Sequence, residues 1–143
     1  MTVSAILAEK GNAVITVSPG TGLGEICDIL AERRIGAVIV ADPSGRIAGI
    51  LSERDVVRAV SRDRTAALAR PASDFMTQTV QTCAPGDTIA EVMAWMTAGR
   101  FRHIPVVEGG RLVGIVSIGD VVKQRIAAAE REAEEMRTYI HMA

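Results

Sequence analysis

The heptapeptide Gly-Ile-Leu-Ser-Glu-Arg-Asp at residues 49–55 recurs, with changes, as Gly-Ile-Val-Ser-Ile-Gly-Asp at residues 114–120. In both copies an aliphatic run ends at a serine, and the apolar spacing of a helix begins after it. Each copy therefore indicates a strand-to-helix junction. Two such junctions in one chain predict two related halves.

The similarity extends outward from these junctions. A shift of 66 residues superimposes the first part of each half, and a shift of 65 superimposes the part after a turn, at 42–45 and at 108–110. The matched residues of the first part are Thr16, Pro19, Gly20, Glu25, Arg34 and Val40, which meet Thr82, Pro85, Gly86, Glu91, Arg100 and Val106. Each half is therefore predicted to form one structural unit.

Each unit has the predicted order β-α-β-β-α. The strands are expected at 13–17, 37–41 and 46–51, and again at 80–83, 103–107 and 111–116, with a linker at 61–73. Neither half can cover its own sheet, so two stacked units are expected to bury both sheets. The predicted fold class is α/β (α+β), with two repeats packed sheet to sheet in pseudo-two-fold symmetry. The repeats are assigned to 1–66 and 67–125, and a helical extension to 126–143.

The composition excludes several classes of function. The 143 residues are 48% hydrophobic, which is enough to form a core. The net charge of -1 provides no overall electrostatic attraction to nucleic acid or to an anionic membrane. Aromatic residues are only 3%, which disfavours stacking on single-stranded nucleic acid. No apolar stretch approaches the ~18 residues of a membrane span, so a cytoplasmic protein is expected.

The sequence also lacks the constellations of an enzyme or a metal site. Cys27 and Cys83 are far apart, and neither they nor the histidines His103 and His141 have a metal-ligand spacing. No nucleophile has a nearby base, and no carboxylate pair has a recognisable acid-base role. We therefore expect a binding protein without a catalytic cofactor or a metal.

The tandem order and the repeated Gly-x-x-Ser-x-x-Asp motif together resemble a CBS domain pair, often called a Bateman module, over residues 3–125. The chain is most similar to stand-alone bacterial CBS-pair proteins and to plant single-pair CBS proteins. The resemblance implies that an adenosine-containing ligand binds between the repeats: AMP, ADP, ATP, NAD(H) or S-adenosylmethionine. The motif does not distinguish these ligands, because all present the same adenosine.

The resemblance also implies roles for the motif residues. Asp55 and Asp120 would accept hydrogen bonds from ribose hydroxyls, and Ser52 and Ser117 would lie beside the ribose or a phosphate. The alternative is a capping box, in which the same side chains only satisfy free N–H groups of the helix. The presence of both copies favours binding, and a vestigial site in one of the two repeats is the remaining alternative.

The resemblance places the adenine against the middle strand and the residue before the first helix. The matching positions are Thr16, Val38, Ile39, Thr82, Ile104 and Pro105. Ordinary sheet core is the alternative for the aliphatic members. Pro105 is less easily explained as core, because proline inside a strand removes a backbone donor.

Phosphate binding needs positive charge, and here the repeats differ. Arg102 and His103 resemble the basic pair of nucleotide-binding repeats in AMP-activated kinase, whereas the first repeat has Gly36-Ala37 there and carries Arg54 in its motif. Arg54, Arg102 and His103 are predicted to converge on one polyphosphate. A solvated Arg54 and a backbone-satisfied His103 are the alternatives.

The last helix is predicted to run from 120 to 140 without Gly or Pro. Its apolar stripe alternates steps of four and three residues, as in a heptad seam: Val122, Ile126, Ala129, Ala133, Met136 and Ile140. The stripe either packs on its own module or mediates a homodimer. The function expected overall is energy-sensing signal transduction to an unidentified downstream protein; the alternatives are a nucleotide-independent dimeric scaffold and, less favoured, a nucleic-acid-binding module.

Overall fold

A computed structural model describes residues 1–142; Ala143, the last residue of the predicted 126–143 extension, lies outside the described residues. Two repeats follow one another after an N-terminal helix; the first has the order β-α-β-β-α, and in the second the first strand is reduced to a single bridge. The first half contains α1 (Val3–Lys10), β1 (Thr16–Val17), α2 (Leu23–Arg33), β2 (Ala37–Ala41), β3 (Ile47–Ser52) and α3 (Glu53–Asp63). The second contains α4 (Ile89–Gly99), β4 (His103–Glu108), β5 (Arg111–Ser117) and α5 (Ile118–Met142). Two short 3-10 helices, Arg64–Ala69 and Ala72–Asp74, occupy the predicted linker.

The strands form one sheet in each half. β1 pairs in parallel with β2, β2 pairs antiparallel with β3, and β4 pairs antiparallel with β5. This arrangement confirms the predicted α/β (α+β) class with its long C-terminal helix. The predicted boundaries hold to within one residue for the two central strands of each repeat.

The first strand of each repeat is shorter than predicted. The strand expected at 13–17 is reduced to Thr16–Val17, and the one expected at 80–83 to a bridge between Cys83 and Val106. In the first repeat the N–H of Ile39 donates to the carbonyl of Ile15. Proline stands at the matching position 105 and has no N–H to donate, so the second repeat cannot make that bond.

Hydrophobic clusters fill the space between each sheet and its helices. Val38 and Val40 belong to the first cluster and Ile104 and Val106 to the second. Side chains alternate along a strand, so Ile39 faces the opposite side of its sheet. Ile39 is nevertheless fully buried, as expected for a sheet face covered by the other repeat.

Each cluster is completed by a segment from the other half of the sequence, a feature the sequence did not predict. Val3, Ile6 and Leu7 of α1 pack in the second cluster, and Ala67 and Ala72 pack in the first. The backbone contacts match: the N–H groups of residues 3 and 4 bond to the carbonyls of residues 87 and 85, and those of 72 and 73 to the carbonyls of 21 and 19. The packing units therefore cross the boundary between 66 and 67.

The motif glycines make room for these crossing segments. A Cβ on Gly49 would lie 2.8 Å from the carbonyl oxygen of Thr77, and a Cβ on Gly114 would lie 2.6 Å from Leu7 Cδ2. Glycine at these positions therefore serves close packing within the protein. No helix within residues 1–142 combines the length and apolarity needed to cross a bilayer.

Candidate functional site

The motif of the first repeat forms a closed capping box at the start of α3. Asp55 Oδ2 accepts from the Ser52 N–H at 2.9 Å, and the Asp55 N–H donates to Ser52 Oγ at 3.4 Å. Asp55 Oδ1 accepts from the Thr77 hydroxyl at 3.3 Å, and the residue is only 9% exposed. Both carboxylate oxygens of Asp55 are therefore engaged inside the protein, as the capping interpretation predicts.

The second motif has the same cap but a more open carboxylate. Asp120 Oδ2 accepts from the Ser117 N–H at 2.8 Å and from Lys10 Nζ at 2.7 Å. Within residues 1–142 the described hydrogen bonds of this carboxylate all fall on Oδ2, so Oδ1 stays available. Burial opposes ionisation of Asp120, but the bonds from Lys10 and Ser117 outweigh it and hold its pKa below the usual value.

A cavity of about 520 Å³, called the larger cavity below, lies between the β3–α3 junction of the first repeat and the α4–β4 connection of the second. It brings together the predicted residues Ser52, Arg54, Arg102 and His103. The rest of its wall is Gly36, Ile50, Glu53, Arg58, Gly99, Arg100 and Phe101. Four arginines against one glutamate give this cavity a positive potential.

A smaller cavity, of about 360 Å³, occupies the position related by the pseudo-two-fold axis. The predicted residues Ser117 and His103 line it. Its other walls are Lys10, Ala13, Val14, Ile15, Arg34, Ile35, Gly36, Ala37 and Ile115. Lys10 connects this cavity to Asp120, whose own side chain is not part of the wall.

His103 lines both cavities, and this is possible because the first repeat has Gly36-Ala37 where the second has Arg102-His103. A Cβ on Gly36 would lie 2.8 Å from Cε1 and Nε2 of His103, so the missing side chain in the first repeat accommodates the ring from the second. Burial lowers the pKa of His103; Glu53 and Asp120 oppose this shift, while Lys10 and Arg102 reinforce it. The imidazole is therefore a neutral group between basic side chains at pH 7.

Several lining residues were missed by the sequence reasoning. Arg34 and Arg100 end α2 and α4 in the left-handed conformation, with φ of 53° and 56°, and each lines one cavity. Their match under the 66-residue shift was a usable signal, as was the four-residue step from Arg54 to Arg58 on one helix face. Lys10 gave no signal, because its partner lies 110 residues away.

Arg54 also forms a hydrogen bond between the two repeats. Its Nη1 donates to the carbonyl oxygen of Arg100 at 3.0 Å, across the junction between repeats. The guanidinium therefore lines the larger cavity while satisfying a carbonyl at the end of α4. Within residues 1–142 no group of three or more His, Cys, Asp and Glu side chains is arranged to hold a metal ion.

The six residues predicted for adenine line neither cavity. Val38 and Ile104 are core residues on the helix side of their sheets, as the alternative interpretation held. Ile39 and Pro105 lie on the inter-repeat face, where they pair with Ile50 and Ile115 of the adjacent strands. Thr16 is exposed and Thr82 half-buried. The apolar lining comes instead from Ile50 and Phe101 in one cavity and from Ile15 and Ile115 in the other.

Comparison with known protein families finds the CBS domain twice, at residues 10–62 and 72–126. A CBS domain-containing protein of Arabidopsis thaliana, CBSCBSPB5, is 34% identical over 122 residues, which are 85% of this chain. The match covers 22% of that relative, so this chain corresponds to about a fifth of its length.

Two solved structures are similar over most of this chain. The CBS-domain containing protein ATU1752 from Agrobacterium tumefaciens is 47% identical with a TM-score of 0.85, over 87% of this chain and 92% of that one. The CBS domain protein PAE2072 from Pyrobaculum aerophilum, solved in complex with AMP, is 26% identical with a TM-score of 0.75. That likeness covers 84% of this chain and 89% of the other.

Proposed function

The chain belongs to the CBS-domain family, and from that membership we propose that it is a regulatory module that binds adenosine nucleotides between its two repeats. Occupancy of the cavities would be transmitted to a downstream protein. PAE2072, a relative with the same fold, is described in complex with AMP. That complex supports an adenosine ligand for this chain.

The observation that carries the proposal is the set of side chains around the larger cavity. Ser52 and the N-terminus of α3 face Arg100 and Arg102 of the other repeat across about 520 Å³. A helix N-terminus favours anionic oxygens, and guanidinium groups bind phosphate with two parallel hydrogen bonds. The arginines outnumber the single carboxylate of Glu53, so the cavity is suited to more than one phosphate. ATP and NAD(H) are therefore its proposed ligands.

The smaller cavity has a different balance of groups. Lys10 and Arg34 supply its cationic side chains, and Ile15 and Ile115 supply apolar surface for a base. The available Oδ1 of Asp120 would accept a ribose hydroxyl near this cavity. We assign AMP, or another adenosine ligand with fewer negative charges than ATP, to this site, with Ser117 beside the ribose. Asp55 is the weaker ribose candidate, because its oxygens are already bonded.

We propose a non-catalytic role in the cytoplasm, in which the ligand is bound and released unchanged. Mass analysis of AMP, ATP and NAD(H) after prolonged incubation with the protein tests this directly. Any accumulated product that depends on the protein would contradict a purely regulatory role.

Thermal unfolding with a panel of nucleotides tests the binding proposal. A ligand present at ~100 times its dissociation constant adds ~2.7 kcal/mol to the free energy of unfolding, so AMP, ATP, NAD(H) or S-adenosylmethionine should raise the melting temperature by several degrees. Guanosine nucleotides should raise it less. If no adenosine compound changes the transition at millimolar concentration, the proposal fails.

A pair of arginine variants on α3 provides a matched control. Arg58 lines the larger cavity, whereas Arg62, one turn further along the same helix, does not. Arg58→Ala should therefore lower the affinity for ATP at least about threefold, while Arg62→Ala leaves it unchanged. Equal effects of the two substitutions would indicate only a general electrostatic attraction.

A further inference from the structure

The C-terminal helix contacts its own module on one side only. Val121 and Gln124 of α5 are buried, Gln124 donates a hydrogen bond to Glu9 of α1, and Lys123 forms an ion pair with Glu9 at 3.0 Å. Residues 129–142 are all exposed. The second half of α5 therefore projects beyond the module.

The apolar stripe of α5 points away from that contact. With about 100° of rotation per residue, Gln124 lies on the side opposite the midpoint of Val122 and Ile126. Val122 is 42% exposed and Ile126 is 55% exposed, and Met136 and Ile140 further along the stripe are more exposed still. The alternative in which the stripe packs on its own module is therefore wrong for the described residues.

A projecting helix of this kind needs support. Isolated helices shorter than about 12–15 residues are marginal in water, and most helical stability in proteins comes from packing of an apolar face. Within residues 129–142 nothing in the module provides that packing. A partner that covers the stripe would supply it.

The charges beside the stripe fit a second copy of the same helix. Ile126, Ala133 and Ile140 occupy the a positions of a heptad, and Val122, Ala129 and Met136 occupy the d positions. In a parallel pair each g residue faces the e residue five positions further along the other helix. Arg125 then faces Glu130, and Glu132 faces Arg137. Both pairs are of opposite charge, and two-fold symmetry makes each occur twice.

The antiparallel arrangement that covers the whole stripe places like charges opposite one another. Stacking of Ile126 on Met136 would bring Glu130 against Glu130 and Lys123 against Arg137. It would also bring Glu132 against Glu132. Like charges beside a helical seam are destabilising. The sequence of the flanks therefore distinguishes the two orientations.

We propose that α5 pairs in parallel with α5 of a second copy, as a short two-stranded coiled coil over residues 122–140. The side of α5 that carries Gln124 packs on its own module, so the two modules lie on opposite outer sides of the helix pair. No residue of this interface lines either cavity, so the interface is separate from the proposed nucleotide sites. It gives the expected homodimer a defined surface and orientation.

Sedimentation of the full-length chain tests the partner. The parent should be a dimer, and Glu130→Arg should weaken it about tenfold, because two attractive contacts per dimer become repulsive. Adding Arg125→Glu should restore the affinity. Glu130→Arg also gains a favourable step to Glu134 within its own helix, so helix loss cannot explain a weaker dimer. The control Glu135→Arg changes an exposed glutamate away from the stripe and should have little effect.

Cross-linking through Ala129→Cys tests the orientation. In the parallel pair the two copies of residue 129 share one layer and lie within reach of a disulfide, whereas no antiparallel stacking of a on d positions brings residue 129 opposite itself. Mild oxidation should therefore link the variant into covalent dimers, while the parent, with its Cys27 and Cys83, gives the background. A monomeric parent, a dimer that tolerates Glu130→Arg, or an Ala129→Cys variant that does not cross-link would each overturn the proposal.

Discussion

Replacement of Asp120 by asparagine separates ribose binding from helix capping. Asparagine caps a helix about as well as aspartate, so the cap formed with Ser117 should persist. The substitution also removes the ion pair between Asp120 and Lys10. The side chain of Lys10 is 33% exposed and that of Asp120 is 22% exposed. Ion pairs this accessible are worth about 0.2–1 kcal/mol. We therefore expect Asp120→Asn to melt within a few degrees of the parent.

The pH of the stability measurement matters for this comparison. The folded protein holds the pKa of Asp120 below its ordinary 3.8. The ion pair therefore contributes its full stability above that value and loses it as pH falls through the lower folded pKa. Measurements near pH 7 include the whole contribution, and a Lys10→Met variant measured beside Asp120→Asn shows how large it is.

The effect on binding should be larger than the effect on stability. Hydrogen bonds to a charged group contribute ~1.5–3 kcal/mol, so loss of the carboxylate should reduce the affinity for AMP at least ~10-fold, or ~1.4 kcal/mol. Calorimetric titration with AMP and with 2′-deoxy-AMP identifies the contact. The parent should prefer the ribose ligand, and Asp120→Asn should lose that preference.

The refuting result is a preference for AMP over 2′-deoxy-AMP that is as strong in Asp120→Asn as in the parent. That outcome would assign Asp120 to the cap and to Lys10 alone. Asp55→Asn is the internal comparison. Its carboxylate is bonded on both oxygens, so the substitution should disturb stability more than ligand discrimination.

Two further predictions concern His103. Burial keeps the folded pKa of His103 below 6.5, so its contribution to stability is present above pH 6.5 and lost as pH falls through the folded value. A bound phosphate would raise the pKa of His103, so AMP affinity should increase as the pH falls from 7.5 to 6, by at most ~10-fold per pH unit. Calorimetry should find no such increase when adenosine replaces AMP, or when AMP is titrated into the His103→Gln variant. Gly36→Ala should shift the imidazole, because its Cβ would lie 2.8 Å from the ring, and should lower AMP affinity toward that of His103→Gln. The control Gly20→Ala meets no atom within 4 Å and should bind normally; equal affinities in both alanine variants would contradict the role of Gly36.

The repeat made most of the fold predictable from the sequence. β2 begins and ends where the pattern predicted, and α3 begins directly after Ser52. These features depend on contacts between residues close in sequence, and each occurs twice, so one half checks the other. The sequence also predicted that Arg54, Arg102 and His103 would converge, because the two repeats carry their basic residues at different positions.

The exchange of segments between the repeats had no comparable signal. Val3, Ile6 and Leu7 have helical spacing, but their packing partners lie about a hundred residues away in the second cluster. The ion pair between Lys10 and Asp120 depends on the same exchange. Local patterns determine which residues face a core and do not determine which of two similar cores they enter.

The outward orientation of the C-terminal helix follows only when its sequence pattern and its contacts in the structure are combined. The spacing of Ile126 and its neighbours reveals a stripe but not the side of the helix that meets the module. Burial of Gln124 against Glu9 supplies that side, because a polar residue opposite the stripe is held by the module while the apolar residues remain exposed. Once the stripe is known to face outward, the flanking charges at 125, 130, 132 and 137 acquire meaning. Within a single helix, residue 125 does not face residue 130, and residue 132 does not face residue 137. Only a second helix running in the same direction brings these opposite charges together along the whole stripe.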